Sequence, residues 1–145
     1  MYDNVNSVTP YRQILVVEDD KGVSALIKSM LEKSHFEAHL FDDPFLSLAI
    51  FSDDPVGYGM VIYDMSIKQM SAFEFLRQVR TINPDIKFVL ITAVEIKPAE
   101  FSKVLPSVTV DAFLEKQSLP SHIVQCVSKI LGPHKIGKTN LGKYR

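Results

Sequence analysis

Five polar residues follow apolar runs of the sequence, and their chemical types suit a site for metal and phosphate. They are Glu18, Asp19, Asp64, Thr92 and Lys116. Two carboxylates about 4 Å apart repel each other by roughly 4 kcal/mol at an effective dielectric constant near 20, so three of them need a counter-charge. Magnesium suits this role because it prefers oxygen ligands and is commonly held by one or two carboxylates together with a phosphate. The set therefore predicts a magnesium-dependent phosphate site.

The apolar runs predict strands that would bring these residues together. Segments 14–17, 36–41, 60–64, 87–91 and 111–115 have the length and composition of strands. The uninterrupted apolar residues in 14–17 and 87–91 indicate strands that are buried on both faces. Segment 36–41 alternates between apolar and polar residues, so it suits a position nearer an edge of the sheet.

Apolar residues at helical spacing fill the intervals between these strands. They form four stripes: Val23, Leu26, Ile27 and Met30; Phe75, Leu76 and Val79; Phe101, Val104 and Leu105; and Ile123, Val127, Ile130 and Leu131. Asp43 before Pro44 marks the start of a further helix, and Ser71 with Glu74 has the form of a capping box. Strands that alternate with helices predict an α/β fold with a parallel sheet covered on both faces.

The carboxyl ends of parallel strands are the predicted functional edge, because polar groups there leave the apolar sheet without being buried unpaired. A single carboxylate after a strand is more often the N-cap of the next helix, and this is our interpretation of Asp20. It is much rarer by chance to find an acid pair, a third acid, a threonine and a lysine in this order at strand ends than to find a single carboxylate. This order is the basis of the functional interpretation.

Length and composition limit the other possibilities. A chain of 145 residues with 46% apolar residues and a net charge of -1 fits one compact domain. No apolar stretch approaches the roughly 18 residues of a membrane span, and the polar start lacks the pattern of a secretory signal, so we expect a cytoplasmic protein. The single cysteine, Cys126, excludes an internal disulfide. The neutral charge balance offers no basic surface for nucleic acid.

On these residues the sequence resembles the receiver domain of two-component response regulators. The matching motifs are VVEDD with Glu18 and Asp19, VIYDMS with Asp64, LITA with Thr92, and DAFLEK with Lys116. The resemblance implies a flavodoxin-like, doubly wound five-stranded sheet of order 2-1-3-4-5 with five helices. It divides the chain into an N-terminal extension (1–11), a receiver domain (12–131) and a basic flexible tail or truncated linker (132–145).

The resemblance also implies a role for each site residue. Asp64 would accept a phosphoryl group from a sensor histidine kinase or a phosphotransfer protein. The implied magnesium ligands are Glu18, Asp19, Asp64 and the backbone carbonyl of Ser66. Thr92 and Lys116 would contact the phosphoryl oxygens, and Thr92 with Phe113 would switch the surface of the domain.

The implied partners beyond the phosphodonor are a downstream protein target or a missing output domain, and a phosphorylation-dependent homodimer. We expect neither nucleic acid nor membrane to bind this chain. The domain would not be an enzyme in the usual sense, but a phosphoacceptor with self-catalysed phosphotransfer. Val94, two residues after the switch hydroxyl, cannot orient an attacking water, which predicts slow self-dephosphorylation. A degenerate receiver that acts as a phosphorylation-independent interaction module is the alternative.

Three positions depart from the family pattern. Lys68 and Ala72 stand where a proline and a glycine are usual, which predicts a differently shaped loop after the third strand. Gln117 replaces the proline that usually follows the lysine. Since a cis bond before a non-proline residue costs about 2.5 to 4 kcal/mol, a different geometry is expected beside Lys116.

Other phosphate-binding classes fail on specific residues. A phosphohydrolase of the haloacid dehalogenase class usually needs a second aspartate two positions after the first, where this chain has Ser66. A flavodoxin needs a hydroxyl-rich loop after the first strand, and the acids there would repel the flavin phosphate. Segment 132–139 matches the phosphate-loop pattern of nucleotide triphosphatases, but it follows a helical stripe instead of a strand.

Overall fold

The structure is a computed structural model that describes residues 12–94 and 109–132 of the chain. One parallel sheet contains five strands: β1 Gln13–Val17, β2 Glu37–Phe41, β3 Met60–Asp64, β4 Lys87–Thr92 and β5 Ala112–Glu115. Their spatial order is β2-β1-β3-β4-β5, which confirms the predicted topology. The alternating strand β2 lies at an edge, also as predicted.

Helices cover both faces of this sheet. The described helices are α1 Lys21–Lys33, α2 Pro44–Asp53, α3 Ala72–Ile82 and α4 Leu119–Leu131, and a short 3-10 helix, Lys116–Ser118, connects β5 to α4. The predicted helix around Phe101 lies outside the described residues. Within residues 12–94 and 109–132, none of the helices is long and apolar enough to cross a membrane.

The sheet separates two apolar cores because successive side chains of a strand point to opposite faces. Leu15, Val61 and Phe88 face the core that α2 and α3 cover. Ile14 and Ile62 face the core beneath α1 and α4. These five side chains are fully buried, which confirms that the central strands are covered on both sides.

Side-chain caps fix where three helices begin. Asp20 Oδ1 accepts a hydrogen bond from the amide three residues on at 3.0 Å, so Asp20 is an N-cap as predicted. Asp43 caps α2 through an amide two residues on at 2.9 Å. Ser71 accepts from the Glu74 amide at 3.1 Å, while the Glu74 carboxylate turns to Arg77. These caps satisfy backbone donors that have no partner inside the helix.

Arg12 anchors the start of β1 beneath the ends of two helices. It is 3% exposed, and its guanidinium lies 4.0 Å from the centre of the Phe36 ring. Its nitrogens donate to the carbonyls of His35 at 3.2 Å, Ser34 at 3.3 Å and Gly132 at 3.4 Å. Because these carbonyls follow α1 and α4, the cation also complements the negative ends of both helix dipoles.

Candidate functional site

The carboxyl ends of β1 and β3 bring three carboxylates together. Val17 is paired with Tyr63, so Glu18 leaves β1 directly beside Asp64 at the end of β3. One carboxylate oxygen from each of Glu18, Asp19 and Asp64 lies within 4.8 Å of the others. Glu18 and Asp64 are each 1% exposed, whereas Asp19 is open to solvent. We call these three residues the acid cluster.

Asp64 is held at both carboxylate oxygens. Its Oδ1 accepts from the backbone N–H and from the hydroxyl of Ser66, each at 2.9 Å. Its Oδ2 accepts from Lys116 Nζ at 3.0 Å. The same ammonium lies 3.9 Å from Glu18 Oε2, so one cation is shared by two buried carboxylates. The acid cluster with Lys116 therefore carries excess negative charge when all its carboxyls are ionised.

Glu18 is the least satisfied member of the cluster. Its Oε2 accepts from the Asp20 amide at 3.1 Å. Its Oε1 is buried and has no hydrogen-bond partner within the described part of the chain. Burial, reinforced by the neighbouring Asp64, raises the pKa of Glu18 to about 8, although Lys116 and the Asp20 amide act in the opposite direction. An orphaned buried oxygen among carboxylates has the chemistry that a hard divalent cation would satisfy.

Asp64 and Lys116 favour their charged forms. Burial is the largest influence on Asp64 and favours its neutral form, but the interactions with Glu18, Ser66 and Lys116 outweigh it and lower the pKa of Asp64. Burial is also the largest influence on Lys116 and disfavours its ammonium, yet the hydrogen bond to Asp64 and the nearby carboxylate charges together outweigh it and raise the pKa of Lys116. Asp64 is thus a charged carboxylate at neutral pH, as a nucleophile must be.

Thr92 and Phe113 occupy the neighbouring strands. Thr92 ends β4, and Asp64 is paired with Ile91, the residue before it. Thr92 is 3% exposed, and its hydroxyl donates to the Val94 carbonyl at 2.6 Å. The ring of Phe113, in β5, packs partly buried against the core that α2 and α3 cover.

The loop after β3 is fixed by contacts that the sequence patterns did not indicate. The Tyr63 hydroxyl donates to the Met70 carbonyl at 2.6 Å, inside the core. Ala72 is buried at the start of α3, and Lys68 is exposed. Sequence reasoning also missed the two donors of Ser66; a hydroxyl residue two positions after an aspartate is a known turn signal that could have indicated them. The role of the Ser66 carbonyl as a ligand stays a prediction.

The segment after β5 directs Lys116 at the acid cluster although Gln117 replaces proline. None of the peptide bonds in the described residues is cis, so the Lys116–Gln117 bond is trans. The 3-10 helix begins at Lys116, and the side chain still reaches Asp64.

Comparison with known proteins identifies the class of this domain. The sheet order is that of flavodoxin-like, doubly wound α/β folds. A family model described as the response regulator receiver domain matches residues 14–128. The chain therefore belongs to this family. Receiver domains are signalling domains of two-component systems and interact with histidine kinases and output domains.

Individual relatives are distant in sequence. The chain is 27% identical over 81 residues to the response regulator receiver protein CpdR of Brucella abortus strain 2308. The match covers 56% of this chain and 66% of that protein, so the chain spans slightly less than two thirds of this relative's length. Among solved structures it is similar to a CheY-like receiver domain protein from Methanospirillum hungatei JF-1, with a TM-score of 0.71, 21% identity, and coverage of 86% of this chain and 94% of that one.

A second solved structure bears on the acid cluster. It is the receiver domain of a sensor histidine kinase from Pseudomonas aeruginosa PAO1, with a magnesium ion coordinated in its active site cleft. It matches with a TM-score of 0.69 and 16% identity over 83% of this chain and 97% of that one. At such low identities the two structural matches show the fold, whereas family membership rests on the sequence model.

Proposed function

We propose that this receiver accepts a phosphoryl group on Asp64 from a phosphohistidine of a sensor kinase or phosphotransfer protein. The P–N bond breaks, its electron pair returns to the imidazole nitrogen, and a bond forms between phosphorus and an Asp64 oxygen. The single observation that carries the proposal is the position of Lys116 Nζ, 3.0 Å from Asp64 in the acid cluster. A buried, ionised carboxylate beside an ammonium can attack phosphorus while the incoming charge is neutralised.

The residues of the chain contribute mainly alignment and charge. Phosphoryl transfer has a loose transition state, so positioning and neutralisation dominate its catalysis. The two donors of Ser66 fix the orientation of the Asp64 carboxylate. The Lys116 ammonium, already at the acceptor, would contact an oxygen of the incoming phosphoryl group.

The acid cluster fits a magnesium ion. Its carboxylate oxygens lie within 4.8 Å of one another, and the buried Glu18 Oε1 has no hydrogen-bond partner among the described residues. Glu18, Asp19, Asp64 and the backbone carbonyl of Ser66 would hold the ion. When bound, magnesium supplies positive charge that neutralises phosphoryl oxygens.

Thr92 and Phe113 would convert phosphorylation into a change of surface. The Thr92 hydroxyl donates to a neutral acceptor, the Val94 carbonyl. A phosphoryl oxygen is a stronger, charged acceptor and would draw the hydroxyl toward Asp64. This movement opens space beside β4 for the Phe113 ring to turn inward, and the altered surface would be read by a downstream protein or an output domain.

Acetyl phosphate with and without magnesium tests the proposal, with intact protein mass as the measurement. We expect the mass of one phosphoryl group to be added only with magnesium, and to be lost in Asp64→Asn. Asp20→Asn is the matched control, because this N-cap is an exposed neighbour of the cluster and asparagine caps equally well. A chain that binds magnesium but gains no mass would contradict the proposal and favour the phosphorylation-independent interaction module. Release of phosphate from unrelated esters would favour a hydrolase.

A further inference from the structure

Helix α2 is apolar on its exposed face as well as on its buried face. Phe51 is fully buried, but Phe45 is 58% exposed, Leu46 52% and Ile50 37%, and Val56 just after the helix is 73% exposed. A helix that is apolar all round is normally covered on every side, and contiguous exposed apolar surface marks an interaction site. We call the four exposed residues the α2 patch.

Acidic residues stand at both ends of the α2 patch. Asp42 and Asp43 form an amino-terminal acid pair, Asp53 and Asp54 form a carboxyl-terminal acid pair, and all four are exposed. The sequence between residues 40 and 67 contains no lysine, arginine or histidine. A second copy docked through the same patch would place acid pairs against acid pairs, which is unfavourable. The occupant that fits has apolar side chains with cations at both ends.

Residues 133–145 of this chain, which lie outside the described part, have this composition. Their apolar residues include Ile136, Leu141 and Tyr144, and they contain no acid. Their lysines and arginine fall into a first cation pair, Lys135 and Lys138, and a second cation pair, Lys143 and Arg145. The five residue-to-residue steps from Lys138 to Lys143 span about 17 Å when extended, close to the roughly 15 Å of a ten-residue helix such as α2.

Hydrogen bonds through the start of β1 connect the last described residue before the tail to the segment that follows α2. The Gly132 carbonyl accepts from Arg12, the residue before β1, at 3.4 Å. The carbonyl of the next residue, Gln13, accepts from the Gly59 amide at 2.9 Å, and Gly59 is three positions after Val56. Thirteen extended residues reach roughly 43 Å, nearly three times the length of α2. An extended tail is thus long enough to run the full length of α2.

We propose that residues 133–145 dock on the α2 patch of their own chain. The first cation pair meets the carboxyl-terminal acid pair, and the second cation pair meets the amino-terminal acid pair. The apolar side chains of the tail cover the α2 patch between them.

Docking of the tail has a consequence for the acid cluster. This consequence rests on the proposed function. A cleft of about 550 Å³ lies between α1 and α2, and its walls include Glu18, Asp19, Lys28 and Leu46. Because Leu46 belongs both to this cleft and to the α2 patch, a docked tail would lie beside the cleft that Glu18 and Asp19 line. Docking itself is independent of phosphorylation and is tested without it.

Paramagnetic broadening in the 145-residue chain tests the docking. A nitroxide label on Thr139→Cys, with Cys126→Ser to leave one thiol, should at least halve the intensities of the amide signals of α2. The broadening should disappear between about 0.1 M and about 1 M salt, where the Debye length falls from about 10 to about 3 Å. Lys135→Glu with Lys138→Glu should also remove it, and adding Asp53→Lys with Asp54→Lys should restore it. Lysines there suit the end of a helix, so this variant should fold.

Controls distinguish docking of the chain's own tail from other occupants of the α2 patch. Glu32→Lys changes an exposed acid on α1, which covers the opposite face of the sheet from α2, and should leave the broadening unchanged. A mixture of labelled chains without isotope and isotopic chains without label shows contacts between copies only. Broadening of α2 signals that persists in this mixture would mean that a second copy's tail covers the patch and would overturn the proposal. Absence of broadening at α2, or broadening unaffected by both salt and charge reversal, would overturn it as well.

Discussion

Replacing Glu18 by glutamine should stabilise the protein when magnesium is removed by a chelator. Glu18 is 1% exposed, and its Oε1 has no hydrogen-bond partner in the part of the chain that the structure describes. Its buried carboxyl retains a proton beside Asp64, with a pKa of about 8 instead of 4.5. Glutamine keeps the shape and a hydrogen-bond donor but requires no proton.

The size of the effect follows from the two pKa values of Glu18. At pH 7 the carboxyl of Glu18 is ionised in the unfolded chain, so it must bind a proton when the chain folds. Since pH 7 is about 2.5 units above the unfolded pKa of 4.5, binding this proton costs free energy. At about 1.4 kcal/mol per unit, this lowers the free energy of unfolding by roughly 3 kcal/mol. Because the pKa is raised on folding, the loss is absent below pH 4.5, grows as pH rises and becomes constant above about pH 8.

Urea unfolding of the wild type and of Glu18→Gln, followed with pH in chelator, measures this difference. The variant should match the wild type near the ordinary glutamate pKa and exceed it by roughly 3 kcal/mol at neutral pH. Asp20→Asn is the control, since it removes an adjacent exposed carboxylate and keeps the buried carboxyl of Glu18. Added magnesium should reverse the order, because only the wild type retains the full ligand set. A difference that is independent of pH, or a less stable variant, would refute the reasoning.

Three further substitutions test single contacts. Lys116→Met removes the ammonium at Asp64 and should slow phosphorylation by acetyl phosphate roughly 100-fold, as measured by intact mass; a rate within a few-fold of wild type would contradict this. Tyr63→Phe leaves the buried Met70 carbonyl without its donor and should lower the urea-measured free energy of unfolding by about 1 to 3 kcal/mol, whereas no loss would show the contact to be unimportant. Val94→Asn adds an amide that can orient water and should accelerate hydrolysis of the acyl phosphate, followed by loss of phosphoprotein; an unchanged rate would refute the predicted role of Val94.

Local sequence patterns predicted the helices and strands well, because the residues that start a helix or form a strand lie close together in the sequence. Asp20, Asp43 and Ser71 mark helix starts in the sequence, and each is an N-cap in the structure. The predicted fifth strand began one residue early, at Asp111. Its carboxylate instead accepts from the Phe88 amide at 2.8 Å, a contact 23 residues away along the chain that no local pattern contains.

Packing between distant segments determined what the sequence could not predict. Strand order was implied only by the family resemblance, since the alternation of strands and helices is compatible with several orders. The carboxylates of Glu18 and Asp64 were expected at one edge, but their burial and the unsatisfied Oε1 became visible only in the structure. The exposed apolar face of α2 was likewise not predicted, because a continuous apolar helix is expected to be covered.

Chemical mapping of the phosphorylated residue tests the central claim most directly. Borohydride reduces an aspartyl phosphate to homoserine, so the modified position can be identified by peptide mass spectrometry after treatment with acetyl phosphate. We predict conversion at residue 64 alone, only when magnesium is present. Conversion at Asp19 or at another carboxylate, or no conversion in a folded protein with magnesium bound, would contradict the assignment of Asp64 as the phosphoacceptor.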